Sequence, residues 1–364
     1  MTDLEHVAEA IAAVKRGEMV VVTDDDDREN EGDLVMAAMH ATPEKLAFIV
    51  RHTSGIVCAP IPRETARRLQ LQPMVADNDS PHGTAFTVSV DFRHGTTTGI
   101  SAEERCITVR ALANSNVGPA DFVRPGHVFP LIAQDGGVLT RSGHTEAAVD
   151  LCRLAGLEPV GVISELVNDD GTVKRGAQVA AFAREHGLRL ISVADLIAWR
   201  ERREKLVERV GEFPITTHAG PATAYAYRTP YDTTQHLAVV FGEIGDGRGI
   251  PVRLQRESIV EDVFGEKSGL DAVLKRLSEA GRGVVVYLRE GSVGVAGTSG
   301  RTREGLGQQT GSEATRDEQW REIGIGAQIL KDLGVKSIRL IASRERRYVG
   351  LAGFGIAIDA TENP

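Results

Sequence analysis

Short runs rich in Val and Ile alternate with apolar residues at helical spacing through the first half of the chain. The spacing predicts a helix near 3–16, then a strand at 19–23 reading "MVVVT". Helices follow near 43–50, 63–70, 101–113, 145–155 and 175–186, separated by strands at 56–59, 85–91, 128–132, 159–163 and 188–192. Such alternation predicts an α/β layered domain with a mixed sheet. "NDDG", Asn168 to Gly171, has the chemistry of a turn.

From Asp195 to Val210, "DLIAWRERREKLVERV" is expected to be a charged helical bridge that runs until Gly211. Strand patterns then resume in "HLAVVFGEI", "GVVVYLR" and "SIRLIA", with a helix from about 318 to 332 and glycines between. A second layered α/β domain is therefore expected. The boundaries are set at 1–207 and 208–364, and no internal repeat is apparent.

The chain has 364 residues, of which 41% are hydrophobic and 26% charged, the balance of a globular protein of two ordinary domains. Its net charge of −9 and the lack of a basic stripe argue against a nucleic-acid surface. Residues 1–207 carry 30 Asp and Glu against 22 Lys and Arg, whereas 208–364 carry 21 against 20. Most of the excess is local, because "DDDDRENEGD", Asp24 to Asp33, alone contributes −6. No stretch has the length of a membrane span, and the amphipathic start lacks the basic opening and unbroken apolar run of a secretory signal. Cys58, Cys106 and Cys152 are widely spaced and form no C-x-x-C, so a reduced, cytoplasmic protein is expected.

A charge cluster after a strand is ordinarily a solvated loop. An EF-hand fails on inspection, since its fifth, sixth and twelfth positions would be Arg28, Glu29 and Val35. The mixture favours a site: hard oxygens suit Mg²⁺, and Arg28 can hold an anion beside the metal. A second signal is "TRSGHTEAAVD", where Arg141, Ser142, Gly143 and Thr145 precede a helix whose amides and dipole suit a phosphate. The plainer reading is a Thr145 cap with Arg141 on the surface. His144 fits a metal ligand or a general base, though a lone histidine is more often neither. His127 in "RPGHVFPL" and Glu165 in "ISELVNDDG" gain meaning only in combination with these.

"DDDDRENEGDLVMAA", "RHTSGIVCAP", "TAFTVSVD", "TTTGISAEER", "RPGHVFPL", "RSGHTEAAVDLCRLAG" and "ISELVNDDG" resemble, in order and spacing, 3,4-dihydroxy-2-butanone-4-phosphate synthase over about residues 4–205. The family usually has Glu where Asp26 stands and Ala where Ser142 stands. The resemblance implies conversion of ribulose 5-phosphate to 3,4-dihydroxy-2-butanone 4-phosphate and formate, in riboflavin biosynthesis, with two Mg²⁺ or Mn²⁺ ions. By position it implies Glu29 and His144 as metal ligands, and Asp24, Arg28 and Asp33 as substrate contacts. Arg141 to Thr145 become the phosphate grip, and His127 and Glu165 the catalytic pair, with Glu29, His144 and Glu165 also lining the substrate. It further implies a homodimer with active sites near the subunit interface, and another riboflavin enzyme is a candidate partner.

The second half resembles GTP cyclohydrolase II over about 208–340, through "HLAVVFGEI", "DVFGE", "GRGVVVYLRE" and "GIGAQILKDLGV". That family holds zinc with three cysteines. Here "RESIVED" puts Ser258 at the first position, the later pair is missing from "FGEKSGL", and no cysteine follows Cys152. "EGSVG" has Ser292 for an arginine, and Ile323 replaces a tyrosine. A serine hydroxyl is a poor substitute for a thiolate at zinc, so a folded remnant without zinc or cyclohydrolase activity is expected.

Overall fold

Apolar side chains on both faces of the central strands force a layer of helices onto each face. In the computed structural model Val20, Val21 and Val22 of strand β1 (Val20–Thr23) are all fully buried. The structure describes residues 4–24, 29–80, 82–230, 234–258, 262, 269–289, 324–342 and 356–363. Two compact units emerge, Met1–Trp199 and Arg200–Pro364.

The first unit is built on a seven-stranded mixed sheet in the order β4-β5-β3-β6-β2-β1-β7. Besides β1 it contains β2 (Gly32–Ala37), β3 (Cys58–Ile61), β4 (Val90–Phe92), β5 (Phe122–Ile132), β6 (Gly161–Glu165) and β7 (Arg189–Ser192). Its helices are α1 (Glu5–Lys15), α2 (Pro43–His52), α3 (Arg63–Arg68), α4 (Ala102–Leu112), α5 (His144–Leu154), α6 (Ala177–Glu185) and α7 (Val193–Arg203), the last crossing into the second unit. Thr42 caps α2 and Ser101 caps α4, each accepting a backbone N–H from the first turn.

Strand alternation divides the core in two. Val21, Leu34, Met36, Ala59 and Val162 point to the side covered by α2, α4 and α6. Val20, Val22, Val35, Ala37, Cys58 and Ile163 point to the side covered by α1, α5 and α7. Because successive side chains alternate, Asp24, Asp33 and Glu165 continue the rows of Val22, Val35 and Ile163. They therefore face the α5 side.

The mixed α/β class expected for both halves is the one found, with one sheet in each unit. Several elements differ from the periodicity. Strand β2 is not predicted by it, because its apolar run follows directly on the acidic stretch. The strand expected at 85–91 is reduced to β4, preceded only by the isolated bridges Pro73↔Thr87 and Phe86↔Leu131. The expected bridge at 195–210 is helical only to Arg203, and its end belongs to β8 (Glu208–Thr217).

The second sheet runs β14-β13-β11-β12-β10-β9-β8. It adds β9 (Gly220–Arg228), β10 (Gln235–Phe241), β11 (Ile250–Arg256), β12 (Gly283–Leu288), β13 (Ser337–Ile341) and β14 (Ala357–Glu362). Helix α8 (Gly269–Glu279) sets Val273 and Leu277 against Val239, Phe241 and Val285. Ala327, Ile329 and Leu330, from a helical stretch over 324–332, pack on the other face against Val240, Val252 and Val286. The expected helix at 318–332 lies partly outside the described residues.

Candidate active site

The chain leaves β1 at Thr23 and returns antiparallel along β2 from Gly32, so the acidic run is a hairpin connection. Asp24 organises its return: Oδ2 accepts the Glu29 N–H at 3.0 Å and Oδ1 accepts the Glu31 N–H at 2.9 Å. One ligand atom each from Asp24, Glu29 and His144 then lies within 4.8 Å of the other two. His144 opens α5, where its Nδ1 is 3.8 Å from Glu29 Oε2 and 3.9 Å from Asp33 Oδ1. Burial pushes the Asp33 carboxyl up to about 7; the negative charges of Glu165, Glu29 and Asp24 add to the shift and His144 opposes it. Among the described residues the groups acting on Asp33 carry more negative than positive charge. Two carboxylates and an imidazole form a donor set that fits a hard divalent cation.

Register places Glu165 directly opposite Asp33 across β2 and β6. Its Oε2 accepts the Ser54 hydroxyl at 2.7 Å, and Ser54 N donates to its carbonyl at 2.8 Å. His127 sits on β5, two strands from Glu165. The two strands are separated by β3 alone, a spacing of about 10 Å. His127 instead touches Asp91, whose Oδ2 lies 2.8 Å from the ring Nδ1.

At the start of α5, Ser142, His144 and Thr145 are buried, and Gly143 occupies the N-cap position. Arg141 is turned onto the helix: its Nη1 donates to Glu146 Oε2 at 2.6 Å, and its Nη2 reaches the His82 carbonyl at 3.1 Å. A Cβ on Gly143 would lie 2.6 Å from Arg141 Nη1 and 2.9 Å from Glu146 Oε2, so the ends of both side chains would have to shift to admit one.

The profile of the 3,4-dihydroxy-2-butanone 4-phosphate synthase family matches residues 8–199. The chain belongs to this family. A GTP cyclohydrolase II profile matches residues 208–363. Two relatives from Arabidopsis thaliana span both units. "Bifunctional riboflavin biosynthesis protein RIBA 1, chloroplastic" is 47% identical over 97% of this chain and 67% of its own length. "Monofunctional riboflavin biosynthesis protein RIBA 2, chloroplastic" is 48% identical over 97% of this chain and 75% of its own. Among solved structures, RibBX from A. baumannii, described as a two domain 3,4-dihydroxy-2-butanone 4-phosphate synthase, superposes with TM-score 0.80 at 38% identity, covering 97% of this chain and 99% of that one. A 3,4-dihydroxy-2-butanone 4-phosphate synthase in complex with two magnesium ions matches at TM-score 0.53 and 49% identity, covering 54% of this chain and 97% of that one.

Within this synthase unit the structure gathers Asp24, Glu29, Asp33, His144 and Glu165 at one end of the sheet, with Arg141 to Thr145 continuous with His144. His127 lies on β5, with β3 between it and the strand of Glu165, and Arg28 lies outside the described residues. Two contacts escape the sequence reading. Ser54 and Asp91 both fall inside the motifs "RHTSGIVCAP" and "TAFTVSVD", and a carboxylate closing an apolar strand is the signal that could have drawn attention to Asp91. In the second unit, Ser258 N donates to Asp262 Oδ2 at 2.8 Å, and Tyr287 donates to the same oxygen at 2.6 Å. Ser292 and Ile323 lie outside the described residues. All three cysteines are free and buried in the synthase unit, where burial pushes the Cys152 thiol up to about 12. No helix among the described residues is long and apolar enough to cross a membrane.

Proposed function

We propose that the chain converts ribulose 5-phosphate to 3,4-dihydroxy-2-butanone 4-phosphate and formate, using Mg²⁺ or Mn²⁺, as a cytoplasmic homodimer whose residues 208–364 have no GTP cyclohydrolase II activity. The observation that carries the first part is the meeting of Asp24, Glu29 and His144 beside the buried Asp33. Glu29 and His144, with Asp24, would hold divalent ions. Such ions, when bound, polarise neighbouring substrate oxygens and offset charge that develops as a carbon-bound proton is removed.

The chain's own groups bind, orient and move protons. Amides and side chains of Ser142 to Thr145, with Arg141 beside them, receive the phosphate at the start of α5. Arg28 and Asp33 contact the substrate, and Asp24 also reaches its hydroxyls. Glu165, with Oε2 held by Ser54, presents Oε1 for proton transfer, and His127 presents Nε2. Two proton-transfer groups on strands about 10 Å apart can bracket an extended sugar phosphate, and holding both ends fixes the reacting carbons.

The second unit supplies none of the thiolates that its family's zinc needs, since the sequence has no cysteine after Cys152. Support for a synthase-only reading also comes from RibBX, a two-domain chain described by the synthase activity alone. The name of the bifunctional Arabidopsis relative favours the other reading, that residues 208–364 still act on GTP. One assay separates them. Purified protein should release formate from ribulose 5-phosphate with Mg²⁺, lose that activity to a chelator, and release none from GTP with Zn²⁺. Absence of formate from ribulose 5-phosphate at saturating Mg²⁺ overturns the synthase reading, and zinc-dependent formate from GTP overturns the remnant reading. Near-normal rates in both Glu165→Gln and His127→Ala reject the catalytic pair.

A further inference from the structure

"RPGH", Arg124 to His127, is the stretch of β5 that its ladder with β4 leaves out. Val90 pairs with Val128 but the next residue, Asp91, pairs with Val123, so four residues bulge between them. Bulges expose backbone groups and re-aim side chains. Pro125 has no N–H to satisfy, Gly126 N donates to Ser89 Oγ at 3.1 Å, and His127 N donates to Asp91 Oδ1 at 2.8 Å. The approach is tight. A Cβ on Gly126 would fall 2.0 Å from the Val90 carbonyl carbon. Asp91 is buried, and its second oxygen, Oδ2, faces His127 Nδ1 at 2.8 Å.

We propose that Asp91 is a positioning residue for the synthase reaction, fixing His127 in the tautomer that carries its proton on Nδ1 and leaves Nε2 as the open proton acceptor. The proposal rests on the reading of His127 as catalytic. An ionised carboxylate only accepts hydrogen bonds, so Nδ1 must donate; a neutral imidazole has one N–H, which leaves the lone pair on Nε2. Nε2 makes no hydrogen bond among the described residues, and the ring is 42% exposed. When Nε2 takes a proton, the Asp91 charge stabilises the resulting imidazolium. Burial lowers the pKa of the Arg105 guanidinium, and the negative charge of Asp91 opposes that fall.

The carboxylate is itself seated. Gly99, at φ +83°, lies so close that a Cβ would be 2.0 Å from Asp91 Oδ2. Glu104 holds the loop that carries Gly99: Oε2 accepts Gly99 N at 3.0 Å, and Oε1 accepts the Thr97 hydroxyl at 2.7 Å together with Thr97 N. These donors hold the Glu104 carboxyl down at about 2, with the Thr97 N–H the largest cause. Glu104 thus fixes Gly99, Gly99 confines Asp91, and Asp91 orients His127.

The test uses the full chain with Mg²⁺, as wild type, Asp91→Asn, Gly99→Ala and His127→Ala, reading kcat and KM for ribulose 5-phosphate and the ¹⁵N spectrum of the His127 ring. Wild type should show a protonated Nδ1. In Asp91→Asn the side-chain amide can still accept the His127 backbone N–H while offering an N–H to Nδ1, so the bulge should persist and the ring proton move to Nε2. The expected cost is about 10²- to 10⁴-fold in kcat with KM little changed. Gly99→Ala, which keeps the carboxylate but displaces it, should also lower kcat and mix the tautomers. An Asp91→Asn protein with near-normal kcat, or with Nδ1 still protonated, overturns the positioning role. Normal formate release by His127→Ala instead overturns the catalytic reading of His127, and the positioning role with it.

Discussion

Replacing Arg141 by Met separates the phosphate contact proposed for that side chain from its contribution to the fold. The Glu146 side chain is only 1% exposed and that of Arg141 20%, and they meet at 2.6 Å. Glu146 Oε1 also accepts Gln134 N at 2.9 Å, so the carboxylate ties the preceding loop to α5. Removing one partner of a buried pair strands the other charge, at a cost of about 3–5 kcal/mol. Arg141 keeps some access to water, so the lower figure applies. At about 2–4 °C per kcal/mol for a unit of this size, Arg141→Met should lower the melting temperature of the synthase unit by about 6–12 °C. Arg141→Met with Glu146→Gln removes the stranded charge while keeping the contact to Gln134 N, and should recover about half of that loss. The assay is calorimetry of the full chain, with KM for ribulose 5-phosphate measured on the same preparations. A phosphate contact raises KM equally in the single and double variants, whereas the fold contribution appears only in melting. Should Arg141→Met melt within about 2 °C of wild type, or the double variant melt no higher than the single, the argument from the buried pair is wrong.

Glu201 makes the second unit more stable in acid. Burial raises its carboxyl from 4.5 to about 8, with Arg202 opposing. Between those values the unfolded chain releases a proton that the folded chain keeps, so stability falls as pH rises from about 4.5 to 8. At about 1.4 kcal/mol per unit the ceiling is about 5 kcal/mol, and Glu201→Gln should flatten the dependence; denaturant unfolding at a series of pH values checks it, and an equal slope in wild type and variant refutes it. Asp24→Ala should weaken Mn²⁺ binding, read by calorimetric titration, by removing both a proposed ligand and the hydrogen bonds that shape the return to β2; unchanged affinity would exclude Asp24 from the cation site.

What the sequence shows of this site is what is local. The acid run, the α5 start and the His127 motif are each visible as short strings, because turn chemistry, helix caps and clustered charge act within a few residues. Non-local pairing is not. That Asp24 and Asp33 face the same helix follows only once β2 pairs antiparallel with β1, and the apolar run of β2 is masked in the sequence by the acids before it. Asp91 and His127 are 36 residues apart, and a four-residue bulge brings them together where simple alternation predicts none. Arg141 is the opposite case. Its partner is five residues away, yet a basic residue before a helix reads equally as an anion contact or as a fold contact until the burial of Glu146 is known.

Fold and site chemistry are carried by different residues in both units. Three fully buried valines in β1, worth roughly 1.5 kcal/mol or more each, hold that strand against carboxylate repulsion of about 1 kcal/mol per exposed pair. The hairpin can therefore carry acids that its own stability does not require. In the second unit the core is likewise carried by strand and helix interiors, Val240, Val252, Val284, Val286 and Leu330 among them, none of which is a thiolate position. Ser258 lies just beyond β11, where Asp262 holds its N–H without calling on the side chain. Exchange of a cysteine for serine at such a place removes a metal ligand and leaves the packing intact, so the persistence of this fold is no evidence that zinc chemistry persists.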